Sequence, residues 1–208
     1  MIKATIFDVG GVLVRTTDHS YRRRWEQELG LAEGESEEIV FNSDMGLRAQ
    51  RGEITDTELW SWVRQRLNLG DQLEDFRSGF WAGDILDQGL VSFIRSLRPS
   101  YQTAIISNAT DGLGETLTHK YQIADAFDLI IGSAEVKIMK PEHAIYKLAL
   151  QRLNLQPVET VFIDDFAHNI VAAKQLGMET IHFKPDVDVP AELARLGVHP
   201  WNAEENNR

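Results

Sequence analysis

Four short stretches hold the side chains able to do chemistry. They are Asp8 with Gly10 and Gly11 just beyond it, Ser107-Asn108, Lys140, and the pair Asp164-Asp165. Three carboxylates gathered in one place make an uncompensated negative cluster, which either raises a carboxyl pKa or holds a hard divalent cation. Mg²⁺ takes few carboxylates, keeps water, and lets a substrate phosphate complete its octahedron. The Gly10 carbonyl can serve as one further oxygen ligand. Ser107 and Asn108 can donate hydrogen bonds to phosphate oxygens, and Lys140 can neutralise both a nucleophile and a group in transfer. With the phosphorus centre polarised, Asp8 can attack it and form an aspartyl phosphate that water then hydrolyses. Each stretch alone also has a plainer reading: a turn-capping Asp, a hydroxyl bonded to its own backbone, a solvated lysine, a helix-capping acid.

Strands must deliver these groups. Thr5 to Phe7 is a short apolar run that presents Asp8 at its carboxyl end, and Gly10 and Gly11 let the backbone turn there. Thr103-Ala104-Ile105-Ile106 ends at Ser107-Asn108, and Thr160-Val161-Phe162-Ile163 ends at Asp164-Asp165. Phe127 to Ile131 and Thr180 to Phe183 are two further strands. Helical stripes separate them: Leu90, Phe93, Ile94 and Leu97, ended by Pro99; Thr110 to about Tyr121; Pro141 to Leu153; about His168 to Leu176; Pro190 to Leu196. The tail after Trp201 is polar and reads as loose. Apolar strands alternating with helices predict an α/β fold with a doubly wound, parallel, five-stranded Rossmann-like sheet. Ligands of such sheets bind outside the carboxyl ends of the strands, where all three polar strand ends would open together.

Between the first strand and the rest, the pattern is helical throughout. Tyr21, Trp25 and Leu29 recur at four-residue spacing in a helix from Ser20 to Leu29, and Arg22, Arg23 and Arg24 read as its solvated face. Ser36 with Glu37 and Glu38 opens a second helix. Thr55 and Glu58 form a capping box before a third, and Leu73, Phe76, Phe80 and Trp81 mark a fourth. This predicts an inserted α-helical bundle cap, residues 15–84, on a core made of 1–14 and 85–208. Its tryptophans read as packing rather than as a ligand box.

The 208 residues, 43% hydrophobic and 25% charged, suit a globular chain with a sizeable core. A net charge of −11 disfavours nucleic acid and anionic membrane as partners, since both are polyanions. A small anionic substrate needs only a local positive site. With no cysteine, there is neither disulfide nor thiolate chemistry. Lys3 and Asp8 interrupt the first apolar stretch, and no apolar run approaches a membrane span. The expectation is a cytoplasmic protein, with no inference about oligomeric state.

In order and spacing, the four stretches resemble the motifs of the haloacid dehalogenase superfamily, in the subclass with a helical cap after the first motif. Phe7-Asp8-Val9-Gly10-Gly11-Val12-Leu13 is similar to the first motif, Ile106-Ser107-Asn108-Ala109 to the second, Lys140-Pro141 to the third, and Phe162-Ile163-Asp164-Asp165 with Asn169 to the fourth. The resemblance implies a nucleophilic Asp8, a phosphoryl-binding Ser107 and a charge-holding Lys140. It implies Mg²⁺ bound by Asp8, the Gly10 carbonyl, Asp164 and Asp165. Lys137, in the same loop as Lys140, stands where relatives often have glycine.

One departure bears on mechanism. Phosphatases of the family usually carry a second Asp two residues after the nucleophile as general acid and base, and this chain has Gly10. Such help is worth on the order of a hundred- to ten-thousand-fold. Either another group supplies it, His168 being one candidate, or the leaving group needs little help, as with anomeric sugar phosphates and acyl phosphates. The leading expectation is a Mg²⁺-dependent phosphatase of small phosphorylated metabolites, sugar phosphates among them. A metal-independent haloacid dehalogenase also lacks the second Asp, but tends to have an aromatic at the Gly10 position and does not need two acids at 164–165. A catalytically weakened phosphate-ligand-binding protein is the third expectation.

Overall fold

In the computed structural model, which describes residues 1–200, seven strands occur. They are β1 (Ala4–Phe7), β2 (Val14–Thr16), β3 (Asp84–Leu86), β4 (Gln102–Ser107), β5 (Leu129–Gly132), β6 (Thr160–Asp164) and β7 (Glu179–His182). Five form one sheet in the order β5-β4-β1-β6-β7. All its pairings are parallel. The chain starts in the middle, winds out to β5, and returns to build the other half, so the two directions of winding part at β1. The tail after Trp201 lies outside the described residues.

Side-chain alternation explains the layers. Ala4 and Ile6 of β1, Ala104 and Ile106 of β4 and Phe162 of β6 point into one buried cluster; Phe7, Ile105, Val161 and Ile163 point into the other. A parallel sheet with both faces apolar must be covered on both. The helices, in chain order, are α1 (Ser20–Leu29), α2 (Asp44–Gln50), α3 (Asp56–Arg66), α4 (Leu73–Trp81), α5 (Gln88–Leu97), α6 (His143–Leu153), α7 (Ala167–Gln175) and α8 (Val189–Arg195), with shorter turns between. Leu90, Val91, Ile94 and Leu97 of α5 and Leu193 of α8 cover one face. Ile145, Tyr146 and Ala149 of α6 and Ala173 of α7 cover the other. No helix among the described residues is long and apolar enough to cross a membrane.

The helical insert has its own core, in which Leu59, Trp60 and Val63 of α3 pack with Phe76 and Phe80 of α4. Thr55 and Glu58 form the expected capping box at the start of α3. The chain enters and leaves this insert through an antiparallel ribbon, Val14 opposite Leu86 and Thr16 opposite Asp84. Three residues per strand were too short a signal to read in the sequence.

Two expectations for the insert require correction. The segment opened by Ser36 makes only a short turn, Glu35–Glu37, followed by a wider π-type turn at Glu38–Asn42. On α1, Arg22 is buried instead of solvated, and Tyr21 is exposed. Arg22 donates from Nε to the Phe80 carbonyl at 2.8 Å, meets Asp84 at 3.0 Å, and lies over the Phe80 ring at 4.4 Å. A guanidinium is buried when its donors meet such partners and its plane meets an aromatic face. Helical periodicity in α1 cannot show those partners, because they lie across the insert.

Candidate active site

Sheet register brings the acids together. Phe7 of β1 pairs with Ile163 of β6, so Asp8 and Asp164 emerge side by side, and Asp8 N–H donates to the Ile163 carbonyl at 2.9 Å. On the other side of β1, Phe7 pairs with Ile105, and β4 runs on to Ser107. Lys140 arrives from the segment beyond β5. Its Nζ stands 2.8 Å from Asp8 Oδ1 and 2.7 Å from Asp164 Oδ2, and the residue is only 3% exposed. Lys137 is exposed, in a left-handed conformation. Of the two lysines, the structure brings Lys140 to the acids.

The three carboxylates are held differently. Asp8 Oδ1 accepts from the Val9 N–H at 2.7 Å as well as from Lys140, so its Oδ2 is the oxygen left for a reacting partner. Both oxygens of Asp164 are occupied: Oδ1 by Phe166 N–H at 2.8 Å, Oδ2 by Lys140, and both by Asn169 Nδ2 at 3.0 and 3.1 Å. Tyr146 hydroxyl donates to the Asn169 carbonyl at 3.2 Å and braces that arrangement from α6. Asp165 Oδ1, by contrast, is buried with no hydrogen-bond partner. Beside it, Gly11 has φ +78°, and a Cβ there would stand 2.2 Å from Asp165 Oδ2. Glycine is required at position 11 on both counts. Gly10 has no positive φ, so the strained step of the turn falls one residue later than its first glycine.

Burial sets the electrostatics. Loss of water raises the Asp8 carboxyl from 3.8 to about 7; Lys140 opposes this, while Asp164 and Asp165 add to it. Asp165 is also raised, mainly by burial and then by Asp164. Burial alone would lower Lys140, but Asp8 and Asp164 outweigh it and push it up. One ammonium is therefore shared by three carboxyl groups. Lys140 keeps its proton, and Asp8 and Asp165 hold back part of their charge. Asp8, Asp164 and Asp165 each offer an oxygen within 4.8 Å of one another. A buried carboxylate oxygen without a donor, in a cluster short of positive charge, suits a hard divalent cation.

Ser107 closes β4 and is buried at the same edge. Asn108 follows it, with its side chain turned to the Lys140 main chain. Its Nδ2 donates to the Lys140 carbonyl at 3.0 Å, and its Oδ1 accepts from the Lys140 N–H at 2.8 Å. A main-chain donor and acceptor on one residue suit a single amide, and Asn108 meets both. His168 is exposed, with its ring against Phe166 at 5.3 Å. Sequence reasoning missed Val9 N–H and Tyr146 as parts of this centre. Nothing in their spacing signals contacts made through main chain or across the fold.

Residues 2–177 match the family model for haloacid dehalogenase-like hydrolases. The chain belongs to that family and is a hydrolase. It is 26% identical over 208 residues to D-ribitol-5-phosphate phosphatase of Bacteroides thetaiotaomicron, covering 93% of this chain and 97% of that protein. Acyl-CoA dehydrogenase family member 10 of Mus musculus is 30% identical over 207 residues. That match takes in 94% of this chain, which spans only 19% of the mouse protein. Among solved structures, a HAD family enzyme of Bacteroides thetaiotaomicron in complex with magnesium and inorganic phosphate superposes with a TM-score of 0.77. It is 23% identical and covers 92% of this chain and 99% of its own.

Proposed function

We propose that this hydrolase is a Mg²⁺-dependent phosphatase of small phosphorylated metabolites that works through an aspartyl phosphate on Asp8. The observation that carries this is the asymmetric grip on Asp8. Lys140 and Val9 N–H hold one oxygen and leave the other free, while Asp165 in the same carboxylate cluster keeps a buried oxygen without a partner. Asp8, the Gly10 carbonyl, Asp164 and Asp165 are the groups that would hold the metal. Asp165 has the freest oxygen, while Asp164 shares its oxygens with Lys140 and Asn169. When bound there, Mg²⁺ would supply charge neutralisation and Lewis-acid polarisation of the phosphoryl group.

This chain's own residues do the rest. Asp8 Oδ2 bonds to phosphorus, and the bond from phosphorus to the leaving oxygen breaks. Lys140 balances the charge of the transferred group, and the Ser107 loop holds its oxygens. Asn108 acts indirectly by fixing the Lys140 main chain. Water then attacks phosphorus, releasing phosphate and restoring the Asp8 carboxylate. Gly10 supplies no proton to the leaving oxygen. The reading therefore favours substrates whose leaving group is stable as an anion, such as anomeric sugar phosphates and acyl phosphates. The relative named as a phosphatase and the magnesium and phosphate bound by the structural neighbour support the phosphoryl chemistry.

Phosphate release from a panel of phosphorylated metabolites, with and without Mg²⁺, tests the proposal. Release that needs Mg²⁺ is expected. No release from any member, or chelator-insensitive halide release from a haloacid, would overturn it.

A further inference from the structure

Beyond Ser107, the chain runs through four residues that are each tied to something outside the loop. Asn108 exchanges two hydrogen bonds with the Lys140 main chain. Ala109 N–H donates to Ser133 Oγ at 3.0 Å, and the Ser133 hydroxyl lies 2.6 Å from the carbonyl of Gln50, the last residue of α2 in the cap. Thr110 hydroxyl donates to Asp56 Oδ1 at 3.0 Å. Asp111 Oδ1 accepts from the Asp56 N–H at 2.9 Å.

The last of these has a physical reason. The first N–H groups of a helix have no partner within it. At the start of α3, the capping box satisfies Glu58 N–H and Thr55 N–H. Of the two N–H groups between them, the one on Asp56 is completed from the core by Asp111. The Asp56 carboxylate in turn accepts from Trp60 Nε1 at 3.2 Å and Arg77 at 2.6 Å. Next to this, Gly52 packs so closely that a Cβ would stand 2.1 Å from the Ala134 carbonyl oxygen. These cap contacts fall on the loops after β4 and β5, the loops that carry Ser107 and lead to Lys140.

We propose that residues 108–111 are a junction through which the seating of the cap positions both the Ser107 loop and Lys140, with Thr110, Asp111 and Ser133 as positioning residues. The inference rests on the reading of Ser107 as the phosphate holder. A loop bonded to the cap at one end and to the Lys140 main chain at the other keeps its shape only while the cap is seated. Coupling is reciprocal, so phosphate held at Ser107 favours the seated cap by the same factor.

Binding of inorganic phosphate to the full chain with Mg²⁺ tests this, read by tryptophan fluorescence, since Trp60 shares the Asp56 carboxylate with Thr110. Thr110→Val keeps the shape and removes the hydroxyl. It is expected to weaken phosphate binding about fivefold, the factor one ordinary hydrogen bond represents. Asp111→Ala is expected to do the same, and the double variant to add little, because both serve one junction. Thr110→Ser keeps the donor and restores wild-type binding. Ser133→Ala strands buried groups and threatens the fold, so Thr110→Val carries the test. A purely structural role would lower the thermal midpoint and leave phosphate affinity alone. Wild-type affinity in both Thr110→Val and Asp111→Ala would overturn the junction. A wild-type protein that binds no phosphate would overturn the phosphatase reading and the junction with it.

Discussion

Asp8 and Gly10 pose opposite questions. Asp8 is a buried acid whose ionisation the fold resists; Gly10 is an open position where an acid would fit. Replacing Asp8 by Asn removes the nucleophile and also a charge that burial disfavours. Asp8→Asn is expected to abolish phosphate release while leaving the metal-free thermal midpoint unchanged or higher, as calorimetry would show. At Gly10, a Cβ would meet nothing within 4 Å, and φ is not positive. Gly10→Asp should therefore fold and supply the missing proton donor. Turnover of ordinary alkyl phosphates is expected to rise by roughly tenfold or more, toward the range of general acid catalysis. An unchanged rate would mean another group already does this work. Asp8 was legible because an apolar strand ending in a carboxylate and glycines is a local pattern. Asn108 was not, because its direction is set by main-chain groups of Lys140, which lies 32 residues further along the chain.

The sheet strands were legible for a related reason. Each is a continuous apolar run with a polar end, and period-two alternation sorts their side chains between two buried layers. The three-residue ribbon and the buried Arg22 were not, since both depend on partners brought together from the two ends of the cap. Arg22 is the sharper case. Removing it leaves Asp84 buried without its guanidinium, and Arg22→Ala is expected to cost roughly 3 kcal/mol in denaturant unfolding. The turn after β1 makes a second demand. Gly11→Ala would force a side chain into a positive φ and against the Asp165 carboxylate. Strain of this kind costs roughly 1 to 3 kcal/mol. Both stability and Mg²⁺ affinity should fall, the latter read by metal titration of the folded protein.

For the whole molecule, the acidic cluster links stability to pH and metal. The folded, metal-free protein holds a proton on Asp8 that the unfolded chain releases near 3.8. A raised carboxyl pKa means that this contribution to stability is fully present below 3.8 and is lost as pH rises through about 7. Asp165 acts in the same direction. Mg²⁺ competes with those protons. The rise in thermal midpoint on adding Mg²⁺ is therefore expected to be larger at alkaline than at mildly acid pH, and equal shifts would place the metal elsewhere. A net charge of −11 makes this local demand for cations part of a wider one.

Direct detection of the phosphorylated enzyme is the most immediate test of nucleophilic attack by Asp8. The full chain would be mixed with a turned-over substrate and Mg²⁺, quenched in acid, digested, and examined by mass spectrometry. A phosphoryl group on the peptide that contains Asp8, absent in Asp8→Asn and absent without Mg²⁺, is the predicted result. Continued phosphate release by Asp8→Asn, or a phosphoryl group carried on any other residue, would contradict it.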